Sequence, residues 1–259
     1  MNIFDTHAHF PEDPRKAAQN LERAFNAGVS HLMAVGGSAE LNRAAIMAAA
    51  LADGSRPAPS VLLALGLDRD QTGSACAECP KYDFSTVIDN RKRISAVGEI
   101  GLDFHYSPET AKGQCDLFAA QLELAKELDL PVVIHTRDAD DATIGVLDET
   151  DSHNGIIHCF TGSVPFERKL LDRGFMISIS GIVTFRAAEN VRDAARFAPD
   201  DRLLVETDSP FLAPVPMRGN ENEPSFITHT LAFLADLRKT APEALATLTS
   251  NNAKRILKC

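Results

Sequence analysis

The chain is short of cysteine, of positive charge and of long apolar runs, and each shortage removes a class of protein. Five cysteines in 259 residues are an odd number scattered along the chain, so a disulfide framework is not expected at this size and the thiols are read as reduced. Lys and Arg total 26 against 36 Asp and Glu, for a net charge of −10. That balance excludes a broad basic surface for nonspecific nucleic-acid binding, which needs clustered Lys and Arg. It leaves room for a nucleic acid gripped locally through metal ions. No apolar run of about 18 residues occurs, so no membrane-spanning helix is expected. Asp5, His7 and His9 interrupt the opening MNIFDTHAHF, which therefore lacks the apolar core of a secretion signal; the expected location is the cytoplasm. Fixed-period repeats, low-complexity tracts and interdomain linkers are also missing, so residues 1–259 are expected to form a single domain.

What is present is an alternation of short apolar runs with longer segments of helical period. The strand candidates are Asn2 to Thr6, His31 to Val35, Val61 to Leu65, Ser95 to Glu99, Val132 to His135, Gly155 to His158, Met176 to Ile179 and Leu203 to Glu206. Runs such as VLLAL, VVIH, GIIH and LLVE are apolar throughout, as parallel strands covered on both faces require. In the segment Gln114 to Leu128, Leu117, Gln121, Leu124 and Leu128 share one stripe, with Phe118, Leu122 and Ala125 beside it, the pattern of a helix packed on a sheet. Ser38, Ser107 and Ser163 stand where helix N-caps belong, and Gly28, Gly54 and Gly174 where helices should stop. A long loop, Ser209 to Pro224, precedes a segment Ser225 to Lys239 and a last helix near Pro242 to Lys258. Eight such βα units predict an α/β protein, a (β/α)8 TIM barrel with an additional C-terminal helix.

In such a barrel the reactive groups sit at the C-terminal ends of the strands. His7 and His9 follow the first strand, and period-2 geometry turns both to one face. Glu99 ends the fourth candidate strand, His135 the fifth and His158 the sixth, while Asp208 follows the eighth. A lone histidine at a strand end is more often a packed residue than a ligand. Six ionisable groups in matched positions are another matter, because leaving them desolvated and unpaired would cost several kcal/mol. Metal is the economical partner. Imidazole with carboxylate suits zinc, manganese or iron, whereas magnesium prefers oxygen. Six ligands exceed the three of a catalytic zinc site, so two divalent ions (Mg, Mn or Zn) are expected, bridged by Glu99. The expected partition is His7, His9 and Asp208 on one ion and His135 with His158 on the other. Ions roughly 3.5 to 4 Å apart would acidify a shared water, and Asp208 would orient it or take its proton. Cys76-Ala-Glu-Cys79 has the spacing of half a zinc site, but no second pair follows at finger-like spacing, and a loop with two free thiols is expected.

The stretches HAHF, GEIGLDF, PVVIHTRDA, HCFTG, ETDSPFLAP and RGNENEP closely resemble, in order, the motifs of the TatD family of metal-dependent deoxyribonucleases, within the amidohydrolase-like barrels. The resemblance implies hydrolysis of DNA phosphodiesters, often as an exonuclease, with the substrate bound by its end. It also implies that Arg137, Arg218, Asn222 and Glu223 lie near the site. Arg218 would bind a substrate phosphate, Asn222 would add a polar contact and Glu223 would anchor the loop. Thr161 and Gly162, after His158, would offer backbone N–H groups to phosphate. His105 in LDFHY is expected to be a solvated loop histidine.

One departure stands out. Where family members often carry a Gly-x-His-Pro turn, this chain reads Gly66-Leu67-Asp68-Arg69, which bears on substrate handling more than on the metal ligands. The irregular segment that follows, Asp70 to Lys81, is expected to shape access to the mouth. The alternative function is a small-molecule hydrolase of the amidohydrolase type, acting on an amide, lactone or phosphoester, since the same ions polarise a carbonyl equally well and the barrel alone does not name a substrate. A binding protein with a vestigial site is disfavoured because no ligand position is substituted.

Overall fold

The apolar runs pair side by side in the order in which they occur along the chain. In the computed structural model, which describes residues 2–54, 57–72 and 82–259, eight parallel strands form one sheet in sequence order. They are β1 (Ile3–Ala8), β2 (Val29–Gly37), β3 (Ser60–Leu67), β4 (Ala96–Asp103), β5 (Val132–Arg137), β6 (Gly155–Ile157), β7 (Met176–Ile179) and β8 (Leu203–Val205). Beyond β8 the chain returns to β1: the Asp208 N–H donates to the His7 carbonyl at 2.9 Å and the His9 N–H to the Ser209 carbonyl at 2.8 Å. This seam closes the sheet into the (β/α)8 barrel.

The helices on the outside are α1 (Pro14–Asn26), α2 (Ala39–Ala52), the short α3 (Ser85–Asp89), α4 (Ala111–Glu127), α5 (Asp140–Glu149), α6 (Val164–Asp172), α7 (Glu189–Phe197) and α8 (Ile227–Leu237); α9 (Pro242–Leu257) is the additional C-terminal helix. Ser38 and Ser163 cap α2 and α6 by accepting from Leu41 N at 3.2 Å and Phe166 N at 3.4 Å. Ser107 does not cap a helix with its side chain; it precedes a 3-10 turn, Pro108–Thr110, and its carbonyl is what accepts hydrogen bonds there. Gly28 and Gly174 end helices at φ +93° and +97°, a conformation glycine adopts without strain. None of the described helices is long and apolar enough to cross a membrane.

Alternation along the strands separates two apolar layers. Ile3, Leu32, Leu65, Ile134 and Ile177 face the helices, whereas Phe4, Met33, Ala64, Val133, Ile156, Met176 and Leu204 fill the barrel, where they meet Ala253 and Leu257 of α9. Helix α9 thus plugs the N-terminal end, held also by Ser250 Oγ on the Asn2 carbonyl and Asn252 Nδ2 on the Leu203 carbonyl. Further along the axis the interior turns polar, beginning with the Thr6 and Ser178 hydroxyls at 2.9 Å. Every ionisable side chain of the site lies beyond that step.

Several strand limits differ from expectation in ways that bear on the site. Strand β1 runs on through His7 to Ala8, β4 continues to Asp103 and β5 to Arg137, so that Glu99 and His135 lie inside their strands and not at their ends, while β6 stops at Ile157, just before His158. The cause in β4 is a register irregularity against β5 between Gly98 and Ile100, a bulge that re-aims one side chain without ending the pairing. Gly98 leaves room for that approach, since a Cβ there would sit 2.6 Å from the Val133 Cβ. Cys76, Cys79 and most of the segment Asp70 to Lys81 lie outside the described residues.

Candidate metal centre

At the C-terminal mouth, the six residues singled out in the sequence converge. Glu99 stands between two pairs of imidazoles. Its Oε2 lies 3.5 Å from His7 Nε2 and 3.3 Å from His9 Nε2. Its Oε1 lies 3.4 Å from His135 Nδ1 and 3.4 Å from His158 Nε2. Asp208 Oδ1 approaches His7 Nε2 at 3.8 Å. Within each pair, nitrogen faces nitrogen: His7 Nε2 and His9 Nε2 at 3.2 Å, and His135 Nδ1 and His158 Nε2 at 3.1 Å.

That donor set fits divalent cations. Two imidazole nitrogens pointed at one another satisfy each other only if one carries a proton, whereas a cation satisfies both lone pairs. Bonds of about 2.1 Å in a tetrahedral arrangement place ligand atoms about 3.4 Å apart, close to the spacings here. Two compact clusters, His7 with His9 and Asp208, and His7 with Glu99 and His158, each bring one ligand atom per residue within 4.8 Å of the others. His7 belongs to both because its ring stacks on that of His158, with centroids 3.9 Å apart.

Two side chains not singled out in the sequence support these donors. Asp103 Oδ2 lies 3.1 Å from His135 Nε2, and Glu206 Oε1 lies 3.3 Å from His158 Nδ1. Each carboxylate fixes which nitrogen of its histidine turns to the centre, as partners of metal-binding imidazoles commonly do. The Val35 carbonyl does the same for His9, accepting from Nδ1 at 2.9 Å. Asp103 and Glu206 both lie inside motifs quoted above, GEIGLDF and ETDSPFLAP, so the signal was present. Arg69, from the departing turn, also reaches the centre, with Nη1 3.5 Å from Glu99 Oε1.

Electrostatics sharpen the roles. Burial drives His7 down to about 3, and neighbouring His158 adds to it. Burial would also discharge His158, but the charge on Glu99 and the bond to Glu206 hold it well above its ordinary value. Burial opposes the charge on Glu99 as well, and contacts with His158, His7 and His9 keep it well below the usual carboxylate range. Asp208 is pushed by burial up to about 7, against the pull of His158 and His9. Asp208 also adopts a left-handed backbone, φ +58°, which aspartate tolerates better than most residues.

The remaining candidates ring the mouth. Arg137 ends β5 with its guanidinium 4.7 Å from the centroid of Tyr106, and Arg218 covers the ring of Phe185 at 4.0 Å. Asn222 is buried, and its amide donates to the Thr207 carbonyl at 2.9 Å and the Phe211 carbonyl at 2.6 Å, so it braces the loop that carries Asp208. Glu223 accepts from Arg23 Nε at 2.8 Å, tying the same loop to α1. The Thr161 carbonyl accepts from Asn190 Nδ2 at 2.7 Å, and Gly162 is packed against Phe166 and Phe160. His105 is exposed and pairs with Asp138 at 2.8 Å.

A family model described as TatD related DNase matches residues 4–258. The uncharacterized metal-dependent hydrolase YcfH of Escherichia coli K12 is 50% identical over 199 residues, covering 73% of this chain and 75% of its own. The uncharacterized metal-dependent hydrolase TatD of Mycobacterium tuberculosis is 33% identical over 264 residues, covering 98% and 97%. Among solved structures, the TatD homologue YjjV of Escherichia coli K12 superposes with a TM-score of 0.82 at 31% identity, over 99% of this chain and 98% of that one. A TatD family hydrolase of Entamoeba histolytica reaches 0.84 at 17% identity, over 99% and 98%, and speaks for the fold alone. The chain belongs to the TatD family of metal-dependent hydrolases.

Proposed function

We propose that the chain is a divalent-metal-dependent deoxyribonuclease that removes nucleotides from a DNA end. The observation that carries this reading is the division of Glu99: each carboxylate oxygen faces its own pair of imidazoles, the arrangement expected of a bridge between two ions. His7, His9 and Asp208 would hold one, His135 and His158 the other. When bound, such ions supply Lewis acidity and a water acidified toward neutrality.

The chain's own residues supply the rest. Asp208 takes the proton of the attacking water, and its position on the β1–β8 seam fixes it relative to His7 and His9. Asp103 and Glu206 hold the His135 and His158 rings in orientation, so that little reorganisation is needed when substrate arrives. Arg137 and Arg218 flank the mouth and contact the polymer beyond the scissile group. With a net charge of −10, the surface disfavours a long duplex footprint, and a grip confined to one or two phosphates suits an exonuclease. The family's description as DNase supports the choice of substrate.

The test is a time course on single-stranded DNA labelled at the 5′ end and, separately, at the 3′ end, with protein stripped by chelator and resupplied with Mg2+, Mn2+ or Zn2+. Glu99→Ala is the control. Metal-dependent release of nucleotides that vanishes in the variant supports the proposal and gives the polarity. Absence of cleavage by metal-loaded protein refutes it.

A further inference from the structure

The turn that departs from the family pattern delivers an arginine to the metal centre, and the turn is built to hold it still. Asn42 brackets Gly66, donating from Nδ2 to its carbonyl at 2.9 Å and accepting from its N–H at 3.3 Å. Gln121 brackets Leu67 in the same way, both contacts at 2.7 Å. The Asp68 N–H donates to the Gly37 carbonyl at 2.7 Å, and Asp68 Oδ1 accepts from Asp70 N at 2.9 Å and Gln71 Nε2 at 3.2 Å. Arg69 therefore starts from a backbone pinned to β2, α2 and α4.

From that platform the side chain reaches the Oε1 side of Glu99, at 3.5 Å, with Asp70 Oδ2 at 3.6 Å from Nε. Its side chain is 22% exposed. Among the described residues it makes no side-chain hydrogen bond, and its buried Nε has no partner. A guanidinium offers five donors in a planar fork that matches phosphate oxygens bidentately. Here it lies amid carboxylates, Glu99, Asp70, Asp68 and Asp103, which balance its charge, and among the described residues none of them takes a hydrogen bond from its fork. A carbonyl oxygen offers such a fork one acceptor atom, whereas an anionic phosphoryl group offers two and matches it bidentately.

We propose that Arg69 is the phosphate-gripping residue of this centre, placed on the His135 and His158 side of Glu99. This rests on the nuclease reading and deepens it by naming a residue that holds the substrate's phosphoryl group.

The experiment compares the metal-loaded wild type with Arg69→Met and Arg69→Lys. Inorganic phosphate binding is measured by calorimetry, turnover is measured on bis(p-nitrophenyl) phosphate and p-nitrophenyl acetate, and metal content is determined for each protein. Arg69→Met is expected to weaken phosphate binding at least tenfold and to cut kcat/KM on the diester about a hundredfold, with a much smaller loss on the acetate. Arg69→Lys keeps the charge without the fork and falls between. Unchanged phosphate affinity in Arg69→Met overturns the proposal, as does an equal loss on both substrates, the result of a merely structural role. Failure of the wild type to cleave any phosphodiester would instead defeat the nuclease reading, and the phosphate titration would still decide the role of Arg69.

Discussion

Glu167 sits in the first turn of α6 with its side chain buried and neither carboxylate oxygen partnered by any described residue. Burial pushes it from an ordinary value of 4.5 up to about 8, only partly offset by Arg238. Because the folded form holds this proton more tightly than the unfolded chain, its contribution is whole below pH 4.5 and declines as pH rises toward 8. At about 1.4 kcal/mol per pH unit the loss would reach about 5 kcal/mol in an unscreened interior. The positive end of the helix dipole and nearby solvent reduce it to about 2 kcal/mol. Glu167→Gln removes the ionisation. Urea unfolding of wild type and variant at pH 5, 6.5 and 8, with chelator present, gives the difference between them, in which other titrations cancel. The two should be nearly equal at pH 5, and the variant more stable by about 2 kcal/mol at pH 8. A difference that does not change with pH, or a variant less stable at pH 8, would refute the argument.

Three further outcomes are expected. Glu99→Ala should abolish hydrolysis and lower bound metal in elemental analysis of the purified protein; wild-type rates with two metals per chain would remove its bridging role. Asp103→Asn should weaken one metal equivalent by about 10- to 100-fold in a calorimetric titration, through misorientation of His135, and leave the other unchanged. Gly101→Ala places a Cβ 2.0 Å from the His135 carbonyl at φ +126°; it should destabilise the fold by about 3 kcal/mol or more, measured by urea unfolding.

Barrel, strand order and all six ring residues were legible because each follows from local pattern: apolar runs name the strands, and barrel geometry brings their C-terminal ends together. The carboxylates behind the histidines were harder to assign. Asp103 reaches His135 only because a bulge in β4 prolongs the strand past Glu99, and Glu206 was absorbed into a strand end by its apolar neighbours Leu203 to Val205. Arg69 was visible as an oddity, but its place beside Glu99 depends on side chains from α2 and α4, Asn42 and Gln121, which no spacing rule connects to it. Ser107 failed as a cap for a similar reason: Gln114 binds its carbonyl at 2.9 Å, and the helix starts one turn later.

The seam between the first strand and the segment after the eighth joins the chain's most distant parts. The Thr207 hydroxyl donates to Asp5 Oδ2 at 2.6 Å across 202 residues of sequence, and the same seam brings Asp208 to His7 and His9. One half of the donor set therefore exists only after the barrel has closed, a contact of high sequence separation that forms late in folding. A cation held there binds the closed ring and not the open chain; at a thousandfold excess over its Kd it would stabilise the closed ring by about 4 kcal/mol. The catalytic centre would then double as a clasp, and chelation would lower the stability of the whole barrel as well as stop its chemistry.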